Sequence, residues 1–182
     1  VAREFLAFTR SPAAQIVIRR AGFVDQAPEE IPIEEQGNRF TNAIAVAGPE
    51  ITLDELQRMN ATLKHMARLS TSFRFEAGSV RLDAQSRSNV QQLARALEVG
   101  QYDARRLLFA GFSDGQGASF ANRDIALRRA EAVRQAVIAA AVTANLERVT
   151  LDLDAFGEAM PMACDDTAWG RQANRRVEVW VR

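Results

Sequence analysis

One cysteine, one histidine and one lysine stand in a chain of 182 residues. The lone thiol, Cys164, excludes an intrachain disulfide and names no compartment by itself. The lone imidazole, His65, has neither Cys nor Asp at metal-ligand spacing on its LKHMARL segment. That leaves no zinc site of the usual kind. A Cys164 nucleophile would need an activating histidine, and His65 lies far upstream on a separate helix, so a packed thiol is the expectation. No apolar run is longer than the stretch around Ala136–Val142, well short of the ~20 residues a membrane helix needs. There is no signal peptide. The chain opens on Val1 inside a helix-like pattern and is expected to be a piece of a longer protein, so the missing leader says nothing of location. Neither sign of charge dominates: Lys plus Arg is 23, Asp plus Glu is 23, and the pI is about 6.8. An overall basic footprint for nucleic acid or an anionic membrane is therefore excluded.

What is present is ordinary for a globular domain: 47% apolar and 25% charged residues. The length suits one domain, or one domain and an appendage. Lys64 is the single lysine, so the positive charge is nearly all arginine. Buried arginine favours planar, two-pronged contacts with anions.

Phe5, Leu6 and Phe8 precede Ser11-Pro12, a good cap followed by a good first helical residue. Ile16 and Val17 continue an apolar stripe and Gly22 stops it, giving two helices ending near Phe23. Asp25 to Glu50 holds three of the five prolines (Pro28, Pro32, Pro49) with Gly37 and Gly48. It has no sustained period and reads as a linker, with Ile31, Ile33, Phe40 and Ile44 lying against a surface. Thr52 and Glu55 form a capping box for a helix carrying Leu56, Met59, Leu63 and Met66 up to Leu69. Thr71–Phe75 alternates as a strand. Val90, Leu93, Ala94 and Leu97 mark an amphipathic helix stopped at Gly100. Arg106–Phe112 is a buried strand, Ser119–Ala141 the longest helix and Arg148–Phe156 a third strand. GEAMPMACDDTAWGRQA then reads as a long loop before a final strand, Asn174–Arg182. Its Val177, Val179 and Val181 alternate with polar residues, and the neighbouring Arg175 and Arg176 point to opposite faces, one of them solvated. From Thr71 the order is β-α-β-α-β-β, an α+β fold with helices on one face of a mixed sheet.

The chemistry concentrates in GFSDGQGASFANRDIALRRAEAV, Gly111 to Val133. Asp114 follows the end of a strand, where ligands of α/β sheets collect. Gly115 and Gly117 permit a tight turn and close approach to backbone N–H groups. Asn122 and Arg129 are two helical turns apart and share a face. Arg129 can give a carboxylate two parallel hydrogen bonds, and Asp114 can accept from an ammonium. The pair suits a zwitterion. It equally suits a capped turn followed by a solvated helix, and the pattern alone leaves both open. The GQG turn has no lysine, so it is no phosphate loop. Asp165, Asp166 and Thr167 read as loop caps or as ligands of a hard cation. Trp169 and Trp180 read as core or loop anchors, or as a recognition pair.

This stretch resembles the signature of the OmpA-like peptidoglycan-binding domain, in register through Gly111, Ser113, Asp114, Gly117, Asn122, Arg129 and Ala130. FEAGSVRL resembles the family's first strand and loop, and GRQANRRVEV its last strand, with Gly170, Arg171, Asn174, Arg175 and Arg176 in place. The likeness spans Thr71 to Arg182. It implies that Asp114 takes the ammonium and Arg129 the carboxylate of diaminopimelate in a peptidoglycan stem peptide. Asn122, Ser113 and Gly115 would line or brace the pocket, and the loop from Glu76 to Ser79, with Glu76 and Gly78, would form its rim together with Arg175. Ile125-Ala126 stands where Leu-Ser is usual, Phe112 where His is frequent and Ala121 where an aromatic is common.

FLAFTRSPAAQIVIRRAGFV is similar to the carboxyl-terminal helices of phosphate-type periplasmic solute-binding proteins. The resulting organisation is a helical remnant at 1–25, a linker at 26–51, a connecting helix at 52–70 and the OmpA-like domain at 71–182. The expected function is non-catalytic anchoring of a periplasmic or envelope protein to peptidoglycan, with no cofactor, no metal and no catalytic residue. The alternative is a solute-uptake component whose partners are ABC transporter subunits, the domain serving only to position it.

Overall fold

The computed structural model describes residues 2–9, 11, 14, 17, 28–47, 50–76 and 79–182. Helix α1 spans Ala2–Thr9 and leaves Phe5 and Phe8 exposed. The Ser11 hydroxyl accepts the Ala14 N–H at 3.3 Å, a capping bond. Apart from Ala14 and Val17, the expected second helix from Pro12 to Gly22 lies outside the described residues.

Five strands form one mixed sheet: β1 (Glu30–Ile31), β2 (Ala67–Arg74), β3 (Arg106–Phe112), β4 (Thr150–Ala155) and β5 (Arg176–Val181). Their order is β1-β2-β5-β3-β4. Strand β5 runs antiparallel to both neighbours, with Phe109 opposite Val179 and Phe73 opposite Val177. Strands β3 and β4 are parallel, joined by the long helix α5 (Ser119–Ala140) in a crossover unit. On one face, α5 and helix α4 (Ala84–Glu98) bury Val133, Val137, Val90, Leu93 and Leu97 against Leu107, Phe109, Val177 and Val179. Each large apolar side chain so buried contributes roughly 1.5–3 kcal/mol.

The second face is covered too. Helix α2 (Arg39–Ala45) and helix α3 (Leu53–Leu63) lay Ala43, Leu56, Met59 and Leu63 over Leu108, Ala110, Phe112 and Trp180. The stretch read as a linker thus contains an edge strand, a 3₁₀ turn at Ile33–Glu35 and a helix. Strand β5, read as half-exposed, is buried along its whole length. Its polar residues point into the second layer as a buried ion pair: Arg176 Nε donates to Glu178 Oε1 at 2.8 Å. Arg176 Nη2 also donates to the Met160 carbonyl at 2.8 Å, and Arg39 of α2 reaches Glu178 at 2.6 Å. Burial would raise the Glu178 carboxyl, but the charges of Arg176, Arg39 and Arg68 outweigh it and hold the group at about 2.

The capping box is present: Glu55 N–H donates to Thr52 Oγ1 at 3.2 Å and Thr52 N–H to Glu55 Oε2 at 2.9 Å. The helix it starts ends at Leu63, not Leu69, and β2 begins at Ala67. Leu63, Met66 and Leu69 satisfy helical spacing, while Leu69, Thr71 and Phe73 satisfy strand alternation. Pairing of β2 with β5 decides where one gives way to the other. The long loop before β5 likewise contains a short helix, α6 (Ala168–Asn174), capped by Thr167. Trp180 is fully buried, but Trp169 in α6 is exposed, as are His65 and Cys164. The expectations of a packed Trp169 and a packed thiol are therefore corrected.

Candidate functional site

Gly111 opens the site. A Cβ there would lie 2.1 Å from the Ala126 carbonyl oxygen, so only glycine lets α5 lie this close to β3. That approach seats Arg129, one turn beyond Ala126, inside the protein with only 3% of its surface exposed. Its Nε donates to the Ser79 carbonyl at 3.4 Å, and its guanidinium lies 5.3 Å from the centre of the Phe75 ring. Among the described residues its two Nη atoms have no hydrogen-bond partner. Burial lowers the Arg129 pKa and the charge of Arg175 lowers it further, while Asp114 opposes both. The departure at Ala126 therefore has a packing role: it is fully buried under β3.

Asp114 stands two residues past β3 and is 8% exposed. Its Oδ2 accepts from Arg175 Nη1 at 2.5 Å, and its Oδ1 from the Gln116 N–H at 3.4 Å. Asp114, Arg129 and Arg175 thus gather at the carboxyl end of β3, two fixed cations around one fixed anion. Arg175 belongs to this group through its position directly after α6, which aims it away from the buried Arg176 beside it.

The loops around the cluster are held by a polar lattice. Asn174 Oδ1 accepts from the Met162 and Ala163 N–H groups at 2.6 and 3.1 Å. Its Nδ2 donates to the Ala163 carbonyl at 2.8 Å and to Asp165 Oδ1 at 2.7 Å. Asp165 Oδ2 then accepts from the Gly115 N–H at 2.5 Å, and Arg171 Nη1 donates to the Asp165 carbonyl at 2.6 Å. At Gly170 a Cβ would lie 1.8 Å from the Cys164 carbonyl oxygen, which accounts for the glycine. The GRQANR stretch therefore ties the 158–167 loop to the Asp114 turn.

Several expected site residues take supporting places. The Gly115 N–H donates to Asp165 Oδ2 and so braces the turn. Asn122 is buried and donates to Glu158 Oε2 at 2.9 Å and the Gly117 carbonyl at 3.4 Å, bracing both loops. Burial, and then the neighbouring Asp165 charge, raise the Glu158 carboxyl despite that bond. The Ser113 N–H donates to the Gly157 carbonyl at 2.8 Å, and its buried hydroxyl has no partner among the described residues. Glu76 pairs with Arg81 at the start of the loop that carries Ser79. Gly78 lies outside the described residues. Sequence reasoning missed Phe75 and Glu158, since a ring face and a loop acid leave no spacing signal, and reached Ser79 only as the end of the rim loop. The Asp165 carboxylate and the Thr167 hydroxyl close the turn by hydrogen bonds. Among the described residues, no three His, Cys, Asp or Glu side chains are grouped to hold a metal ion.

The sequence pattern of the OmpA family matches residues 74–175. The chain belongs to the OmpA family. It is 30% identical over 121 residues to outer membrane porin F of Pseudomonas fluorescens, covering 66% of this chain and 35% of the porin. It is 34% identical over 103 residues to the outer-membrane lipoprotein YfiB of Pseudomonas aeruginosa, 56% of each chain. The chain thus spans about a third of the porin and about half of the lipoprotein. Among solved structures it resembles the peptidoglycan-associated lipoprotein from Burkholderia pseudomallei, with a TM-score of 0.53 and 25% identity, covering 61% of this chain and 89% of that one. The fold is shared with the C-terminal domain of Helicobacter pylori MotB, at a TM-score of 0.51 and 21% identity, covering 62% and 85%. These relatives place the chain in the cell envelope. No helix among the described residues is long and apolar enough to cross a membrane.

Proposed function

We propose that this chain binds peptidoglycan non-covalently and anchors an envelope protein to the cell wall. Asp114 takes the ammonium and Arg129 the carboxylate of the free amino acid end of diaminopimelate in a stem peptide. One observation carries the reading: a buried arginine with unpartnered Nη atoms lies in the electrostatic reach of a semi-buried aspartate at the end of a central strand. A charge held in such a place costs free energy unless it meets an opposite charge. A ligand carboxylate supplies it with two-pronged geometry. The name of the Burkholderia lipoprotein, peptidoglycan-associated, agrees with the reading. One stem gives a weak contact, and many stems on one polymer raise retention through local concentration.

Co-sedimentation with purified sacculi tests this. The unmodified chain is expected in the pellet and to be released by excess meso-diaminopimelate, whereas Asp114→Asn stays in the supernatant. Equal sedimentation of both would overturn the assignment. The reading of the chain as a positioning module of a solute-uptake system rests on residues 1–25 alone, most of which lie outside the described residues.

A further inference from the structure

The Asp114 carboxylate is already engaged. Its Oδ2 is 2.5 Å from Arg175 Nη1, and its Oδ1 receives only the long 3.4 Å bond from Gln116. The pair is unequal in exposure. The Asp114 side chain is 10% exposed and the Arg175 side chain 21%. Arg175 has no other side-chain hydrogen bond among the described residues, in contrast to Arg176, which is pinned by Glu178, Met160 and Asn174. Arg175 is therefore a long cation held by a single side-chain bond and resting on the one acceptor that a ligand ammonium needs.

We propose that Arg175 is an electrostatic latch that competes with the ligand's ammonium for Asp114 and so sets which ligands the site accepts. The inference rests on the function proposed above. Two cations, Arg129 and Arg175, thus act on the one anion Asp114. A ligand bearing a carboxylate alone satisfies Arg129 and leaves the Asp114–Arg175 pair intact. A zwitterionic end must displace Arg175 before its ammonium reaches Asp114. The gain from the ammonium is thereby offset by the pair it breaks, and discrimination between a zwitterion and a plain carboxylate is compressed. The opposite role, a second carboxylate contact, would make Arg175 help every anionic ligand alike.

meso-Diaminopimelate and pimelate separate the two roles, because they share a seven-carbon chain and two carboxylates and differ in the ammonium groups. Both are titrated calorimetrically into the full chain and into Arg175→Gln, with thermal unfolding as a check on folding. The latch predicts that Arg175→Gln binds diaminopimelate about two- to fivefold more tightly, the size of one partly exposed ion pair. Pimelate gains nothing, so the ratio of the two affinities widens by the same factor. Arg175→Lys, which reaches Asp114 as a single point charge, is expected to fall between the two. An unchanged ratio in a chain that binds diaminopimelate overturns the latch and leaves the proposed function standing. Parallel weakening of both ligands overturns it too, in favour of a carboxylate contact. Failure of both the unmodified chain and Arg175→Gln to bind diaminopimelate overturns the proposed function and the latch with it.

Discussion

Gly111 of β3 lies directly against the backbone of Ala126 in α5, so that a Cβ on Gly111 would stand 2.1 Å from the Ala126 carbonyl oxygen. The contact sets the separation of strand and helix, and with it the place of Arg129 relative to Asp114. Gly111→Ala is expected to destabilise the fold by about 3 kcal/mol, since backbone on both sides must move. Urea denaturation measures it. A loss under 1 kcal/mol would show that the sheet and α5 separate easily.

Asn174 anchors the second side of the site with four hydrogen bonds to the 162–165 loop. Asn174→Ala leaves two N–H groups and an aspartate oxygen without their partner. The expected cost is ~3 kcal/mol, because buried polar groups left unpaired are expensive. Hydrogen exchange reads the local effect: faster exchange at Met162, Ala163 and Gly115 is expected, with β3 little changed.

Glu178 makes stability depend on acid. Its carboxyl sits at about 2 in the fold, below the ordinary 4.5. A lowered folded value means that the stabilisation is fully present above the ordinary value and is lost as pH falls from about 4.5 toward 2. Glu178→Gln removes that dependence and strands Arg176 and Arg39, costing about 3–5 kcal/mol near neutral pH. Urea midpoints taken from pH 6 to pH 2 should therefore fall more steeply for the unmodified chain than for the variant. Parallel curves would contradict the assignment.

The second sheet face gives a test of domain extent. A chain beginning at Thr71 lacks α2, α3 and the first half of β2, and uncovers Trp180, Leu108 and Phe112. It is expected to aggregate or to bind a hydrophobic dye, since an uncovered apolar face of this kind is sticky. A chain beginning at Pro28 is expected to stay monomeric and cooperative. Equal behaviour of the two would show that the α2–α3 layer is dispensable.

The sequence was most legible where one period prevailed. The apolar stripe of Val90, Leu93 and Leu97 and the continuous run of β3 announced their elements, and Thr52 with Glu55 announced a helix start. The α2–α3 layer was hidden for a physical reason. A two-residue edge strand and a seven-residue helix without a side-chain cap carry too few residues to show a period. Missing that layer made β5 look half-exposed, because Arg176 and Glu178 are polar whether solvated or buried as a pair. At the site, Asp114 and Arg129 stood out by residue type and spacing. Arg175 entered through resemblance alone, since strand alternation cannot say which of two adjacent arginines meets an aspartate sixty-one residues away. Asp165 and Thr167 were read as loop caps and act so, but which groups Asp165 and Asn174 hold was invisible, as loop lattices depend on tertiary closure.

Calorimetric titration of the unmodified chain with meso-diaminopimelate, beside Asp114→Asn and Arg129→Ala, bears most directly on the central claim. The account predicts saturable one-site binding by the unmodified chain, and its loss in both variants while their thermal unfolding remains cooperative. Binding that survives both substitutions, or its absence from the folded unmodified chain, would contradict the charge clamp.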